Sequence, residues 1–266
     1  MHADSSYVMG MGHRVCQDYA RAGRTPQEHP LVYGIVSDGC SSSPDTDVGA
    51  RLLALTAEHL LRGSHQKAWA NRVFNEASLV ATRTKSAKDG MLVDLPNEAL
   101  DATLLLVAAD RPDRARFACM GDGVIAAKDW DGALRIWDVE APDGYPRYPN
   151  YVNNDLRQRS VEAGEPWIAR SPGGGECRTS KVRSFEQPVE GAAVVAIFSD
   201  GVRSFTDAER NPIPSAEIVA ELMAFKGYQG AFVQRRLHAF LKAAVKRGWR
   251  HEDDLAMAAI DMAVES

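Results

Sequence analysis

Cysteine is scarce in this 266-residue chain: Cys16, Cys40, Cys119 and Cys177 stand far apart, with no C-x-x-C pair. That spacing offers neither a zinc ribbon nor a disulfide framework, and a reducing cytoplasm is the expected setting. Long apolar runs are missing too. None approaches the roughly 18 residues of a membrane span, and the opening MHADSSYVMGMGH lacks the basic and apolar regions of a secretory signal. Positive charge is not in surplus, since 31 Lys and Arg face 36 Asp and Glu for a formal net charge of -5. Phosphate backbones are held by surplus cations, so a nucleic-acid partner is not expected, nor is a membrane. No internal repeat and no linker interrupts the chain, and residues 1–266 are expected to form a single domain.

What is present is an ordinary globular balance, 45% hydrophobic and 25% charged. Strand-length apolar runs appear at LVYGIVS (from Leu31), TLLLVAA (from Thr103), ARFACM (from Ala115), ALRIWDV (from Ala133), AAVVAIFS (from Ala192) and LAMAAID (from Leu255). Turn residues in DRPDRARF and KDWDGALRI predict hairpins. Helical spacing places Val48, Leu52, Leu55 and His59 on one face after Asp47, which is expected to cap that helix. Trp69, Val73, Ala77 and Val80 repeat the pattern, and Val233, Leu237, Phe240, Leu241 and Ala244 mark a further helix closed by Gly248. Ser215 is the expected N-cap of a shorter helix reaching Phe225. From Asp143 to Arg183 the chain reads as irregular loop. Trp69, Phe74 and Trp137 are expected in the core. The order of elements predicts an α+β fold, with helices on the outer faces of antiparallel sheets.

Carboxylates recur where apolar runs end. IVSDG (Ile35 to Gly39) is echoed by IFSDG (Ile197 to Gly201), MGDG places Asp122 between two runs, and HEDD places Asp253 and Asp254 before the last one. Singly, each Asp-Gly is turn chemistry. Gathered at one sheet edge, Asp38, Asp122, Asp200 and Asp253 would repel, and would need raised pKa values or bound cations. Oxygen-only ligands select hard ions such as Mg2+ or Mn2+.

The order of motifs GHRVCQD, VSDGCSSSPDTDVGAR, DATLLL, MGDG, FSDG and EDDLAMAAI resembles the metal-dependent Ser/Thr protein phosphatases of the PPM type, the protein phosphatase 2C family, and particularly their compact bacterial branch. The resemblance runs from Gly12 to Ile260. It implies a four-layer αββα sandwich of two antiparallel sheets flanked by helices. It also implies that Asp38 bridges two Mn2+ or Mg2+ ions with the Gly39 carbonyl as a further ligand, and that Asp200 and Asp253 hold the first. Asp122 with Asp200 would hold a third, and Gln17 and Asp18 would lie beside the second. Such ions, about 3.5 to 4 Å apart, activate a shared water for in-line attack on phosphorus.

The implied activity is removal of phosphate from phosphoserine and phosphothreonine in proteins, by a monomer. Cys-centred phosphatase loops and the Gly-Lys-Ser/Thr of a P-loop are both missing. Three departures from the family pattern stand out. Gln17 replaces a common Glu; His13 occupies the place of the phosphate-binding Arg, with Arg14 one position off as the candidate; and DGCSSS lacks the usual His. Two alternatives follow: a catalytically weak module that binds phosphorylated partners, or a small-molecule phosphatase on the same scaffold.

Overall fold

Most of the apolar runs are central strands buried on both faces, which is why they read as unbroken rather than alternating. In the computed structural model, strand β11 (Ala192–Phe198) turns Val195 and Ile197 to one side and Val194, Ala196 and Phe198 to the other; all are buried. Residues 1–63, 77–91, 94–141, 145–172, 175–178 and 185–263 are described.

One sheet has five antiparallel strands in the order β10 (Phe185–Glu190), β5 (Arg114–Met120), β4 (Leu104–Arg111), β3 (Val32–Asp38) and β2 (Asp18–Arg24). The other has seven: β1 (His2–Val8), β14 (Leu255–Asp261), β11, β6 (Gly123–Asp129), β7 (Leu134–Glu140), β8 (Ile168–Arg170) and β9 (Glu176–Arg178). A small ribbon joins β12 (Phe205–Thr206) to β13 (Arg250–His251). The hairpins at DRPDRARF and KDWDGALRI are β4–β5 and β6–β7.

Three apolar layers make this a four-layer sandwich. Val36, Leu105, Val107, Phe117, Ile125, Val195, Ala258 and Ile260 fill the space between the sheets, with Trp137 packed at its border. Helices α1 (Thr46–Gly63) and α2 (Ala77–Asp89) cover the outer face of the five-stranded sheet through Ala50, Leu53, Ala54, Ala57, Leu61 and Val80. Helices α4 (Ser215–Leu222) and α5 (Phe232–Lys246) cover the seven-stranded sheet through Ile218, Leu222, Val233, Leu237 and Phe240. Antiparallel sheets with helices outside each are the expected fold class.

Several local expectations need correction. The face of α1 that meets the sheet is the alanine-rich one, because small side chains let the helix axis approach the strands; Leu52, Leu55 and His59 instead line a groove of about 520 Å³ with Arg83 and Ala87. Asp47 sits inside the first turn of α1, where its charge faces the helix N-terminus. Ser215 is the first residue of α4 and Pro214 its cap, and α4 stops at Leu222. The stretch expected to be loop carries helix α3 (Asp155–Glu162), whose cap Asn154 accepts hydrogen bonds from the Leu156 and Arg157 amides, and the strands β8 and β9. Eight largely polar residues give no apolar period to read. Trp69, Val73 and Phe74 lie outside the described residues. All four cysteines are free.

Candidate metal centre

Strand register brings the acidic residues to one end of the sandwich. In the five-stranded sheet Asp18, which opens β2, pairs with Asp38, which closes β3. In the seven-stranded sheet Phe198, the last residue of β11, pairs with Met257 near the start of β14 and with Val124 near the start of β6. Asp200, the Asp253–Asp254 pair and Asp122 therefore all leave or enter their strands at that end. The two sheets are laced together there: Ser199 donates to Asp18 Oδ2 at 2.6 Å and accepts from the Ala256 amide.

Asp38 is held by its strand neighbours. Its amide donates to Thr103 Oγ1 at 3.0 Å, its carbonyl accepts from the Thr103 amide, and Ser37 Oγ donates to the Thr103 carbonyl. Gly39 is buried and bridges to Ala102. Gly201, after Asp200, answers a demand for space: a Cβ there would lie 1.8 Å from the Asp254 carbonyl oxygen. In the MGDG turn both glycines flanking Asp122 have positive φ, 99° at Gly121 and 154° at Gly123, a conformation that favours glycine.

The electrostatics are those of acids crowded together and relieved only in part. Asp18 is buried, and its carboxyl lies within hydrogen-bonding reach of Asp38. Desolvation pushes the Asp38 carboxyl well above the ordinary range, and the charges of Asp18, Asp200 and Asp253 push it further. Asp18 is raised well above its ordinary value by burial, with Asp200 and Asp254 adding to it against the bonds from Ser199 and Asp38. Burial raises Asp200 as well, with Asp122 and Asp253 contributing. Asp253 is partly exposed.

Other residues have different occupations. Asp254 is a buried clasp: Oδ1 accepts from the Gly10 amide at 2.7 Å, Oδ2 accepts from the Gln17 amide at 2.6 Å, and His13 Nδ1 lies 2.9 Å away. It fixes the loop that carries His13, Arg14, Gln17 and Asp18. The Gln17 side chain donates to Thr46 Oγ1 at 2.8 Å. Arg14 is exposed, and its neighbour His13 faces Asp253, with Nε2 at 3.5 Å from Oδ1. Asp122 pairs with Arg203, whose Nη1 is 3.0 Å from Oδ2. The anchoring roles of Arg203, Ser199 and Asp254 do not emerge from sequence reasoning. The signal for Ser199 was available: both SDG motifs put a serine before the aspartate.

Among the described residues no three acidic, histidine or cysteine side chains are spaced as ligands of one ion. The carboxyls of Asp18, Asp38 and Asp200 instead lie close enough to share protons. Their chemistry fits hard divalent cations, which would replace those protons: the donors are all oxygens, and the largest influences on Asp38 are burial and other acids. The place beside Asp122 does not fit in the same way, because a guanidinium is already bonded there.

Comparison with known proteins agrees with this architecture. The sequence profile of the protein phosphatase 2C family matches residues 12–242. No curated protein matches the chain by sequence. Among solved structures, a bacterial serine phosphatase superposes with a TM-score of 0.61 at 10% identity, covering 100% of this chain and 99% of that one. Stp1, a serine/threonine phosphatase from Staphylococcus aureus, gives 0.60 at 11% identity, covering 100% and 96%. PppA, a key regulatory component of T6SS in Pseudomonas aeruginosa, gives 0.55 at 16%, covering 97% and 96%. At such identities the likeness is one of fold.

Proposed function

Because this chain belongs to the protein phosphatase 2C family, we propose that it hydrolyses phosphoserine and phosphothreonine in proteins and depends on two divalent cations, Mn2+ or Mg2+. The observation that carries the proposal is the Asp38 carboxyl, crowded by Asp18, Asp200 and Asp253 at one end of the sandwich. A pure binding surface has no use for such costly acids.

In this reading Asp38, Asp200, Asp253 and the Gly39 carbonyl would hold one ion, and Asp38 with Asp18 would hold the other. When bound, the ions supply a water of lowered pKa and neutralise charge on the phosphoryl oxygens. The chain's own work is positional. Thr103 and Ser37 fix the end of β3, Ser199 orients Asp18, and Asp254 holds the loop that carries His13 and Arg14. In this reading Arg14 meets the substrate phosphate. We assign the protein to the cytoplasm, as a monomer whose partners are phosphorylated proteins, with no nucleic acid or membrane. Among the described residues no helix is long and apolar enough to cross a membrane.

Two observations favour a second reading, a phosphoprotein-binding module with little turnover: the Gln17 side chain is committed to Thr46, and DGCSSS has Cys40 in place of the His that the family resemblance leads one to expect. A single assay separates the two. Hydrolysis of p-nitrophenyl phosphate and of phosphothreonine peptides is expected with Mn2+, is expected to vanish with EDTA, and is expected to fall to the EDTA level in Asp38→Asn. An Asp38→Asn protein of unchanged activity would sink the assignment.

A further inference from the structure

Arg203 lies three residues after Asp200 in the same tight turn, Asp200–Arg203, and its guanidinium is engaged on every side. Nη1 donates to Asp122 Oδ2 at 3.0 Å, Nε donates to Asp138 Oδ1 at 3.1 Å, and Nη2 donates to the same Asp138 oxygen and to the Val139 carbonyl. Ser215 at the start of α4 adds a bond to the other Asp138 oxygen. Arg203, Asp122 and Asp138 each keep about 30% of their side-chain surface exposed, so the cluster sits at the mouth of the acidic end rather than deep within it.

From this geometry we infer that Arg203 is a built-in substitute for a third cation, and a positioning residue for Asp200. The inference rests on the two-ion reading above and extends it. The family resemblance makes Asp122 and Asp200 the pair that would hold a third ion, and Asp122 acts on Asp200 as a like charge. The Arg203 guanidinium is already bonded to Asp122 and shared with Asp138. It is a delocalised, permanently charged donor whose fork suits two carboxylates at once. A divalent ion entering beside Asp122 would meet that fixed positive charge within a few ångströms and would have to displace its hydrogen bonds to two aspartates and a carbonyl. Because Arg203 and Asp200 share one short turn, the same bonds hold the turn against the ends of β6 and β7. Asp200 is thereby aimed whether or not metal is present.

Metal stoichiometry tests this without reference to turnover. Equilibrium dialysis against Mn2+, with bound metal counted by electron paramagnetic resonance, should give two ions per wild-type chain. Asp122→Asn should also bind two, and so should Arg203→Lys, which keeps the charge. Arg203→Ala should bind a third, at least about a hundredfold more tightly than any residual third site in the wild type, given the strength of a unit charge at close range. Adding Asp122→Asn to Arg203→Ala should remove that third ion. A wild-type chain that binds three ions and drops to two in Asp122→Asn would overturn the inference while leaving the two-ion reading intact. Arg203→Ala that is folded by circular dichroism yet stays at two would overturn it as well. Should Arg203→Ala fail to fold, the wild type and Asp122→Asn decide the matter alone. A wild-type chain that binds no ion removes the two-ion reading, and the inference falls with it, by an outcome distinct from the others.

Discussion

Two groups of aspartates sit at the same end of this sandwich and are treated in opposite ways. Asp122 and Asp138 face a guanidinium from within the chain, whereas Asp18, Asp38 and Asp200 mostly face one another. Both groups arise from the same cause, polar residues at the ends of buried strands. The first is held as it folds: one guanidinium bonds both carboxylates, and its hydrogen bonds tie the turn at Arg203 to β6 and β7. The second is unfinished, since folding desolvates acids that the chain relieves only in part, through Ser199 at Asp18 and the charge of Arg203 near Asp200. Counter-charge inside the chain thus separates a strut from a site, and residue type alone does not.

The largest expected effect breaks the strut. Arg203→Ala should cost about 2 to 3 kcal/mol in urea unfolding with EDTA, somewhat below the about 3 to 5 of a fully buried pair because these groups remain part exposed. The contrasting change in the site should act with opposite sign: Asp38→Asn in EDTA should gain about 1 kcal/mol, because one of several mutually repelling acids is gone, and each kcal/mol is about 2 to 4 °C in a chain of about this size. Mn2+ should then raise the melting temperature of the wild type and leave that of Asp38→Asn nearly where it was. If both substitutions destabilise alike in EDTA, the distinction between strut and site is lost.

Legibility in the sequence follows the same divide between local and long-range causes. The central strands could be read because burial on both faces writes itself into consecutive residues, as in AAVVAIFS and LAMAAID. Asp38 and Asp200 could be read because each sits in a local SDG signature at the end of such a run. Asp18 is legible only through the family resemblance. It is one carboxylate in an unremarkable QDY, and its burial depends on pairing with Asp38 across β2 and β3. Arg203 pairs with Asp122 and Asp138, each more than sixty residues away, and Asp254 clasps Gly10 across the whole chain. Such partners are set by strand register and leave no local trace. Helix α1 shows a milder version: its larger apolar residues suggested one face, and the strands accepted the alanines of the other.

The smallest expected effect, and the most diagnostic, is the response to pH. In the metal-free folded chain Asp18, Asp38 and Asp200 all titrate above their ordinary value of 3.8, burial being the largest cause in each case. A raised folded pKa means that the folded state takes up protons before the unfolded state does. The stability this contributes is fully present below 3.8 and is lost as pH rises through the folded values. Elsewhere the sign is reversed. Burial works against Glu58, yet hydrogen bonds from Arg21 and Tyr33 hold it below its ordinary 4.5, and Arg247 lowers Glu221; both contribute stability that is lost only as pH falls through their depressed values. Above 4.5 the pocket acids act against His251, which burial holds below its ordinary 6.5 and which therefore loses stability as pH falls through that value; with three raised carboxyls against this one imidazole, wild-type stability in EDTA should rise as pH is lowered from 7 toward 5. Asp38→Asn should flatten that rise. Saturating Mn2+ should invert it, because ligand carboxylates must be deprotonated to bind. Urea unfolding at three pH values, with EDTA and with Mn2+, measures all of these slopes. A wild-type slope in EDTA that survives unchanged in Asp38→Asn would mean that the crowding at Asp38 is not what sets it.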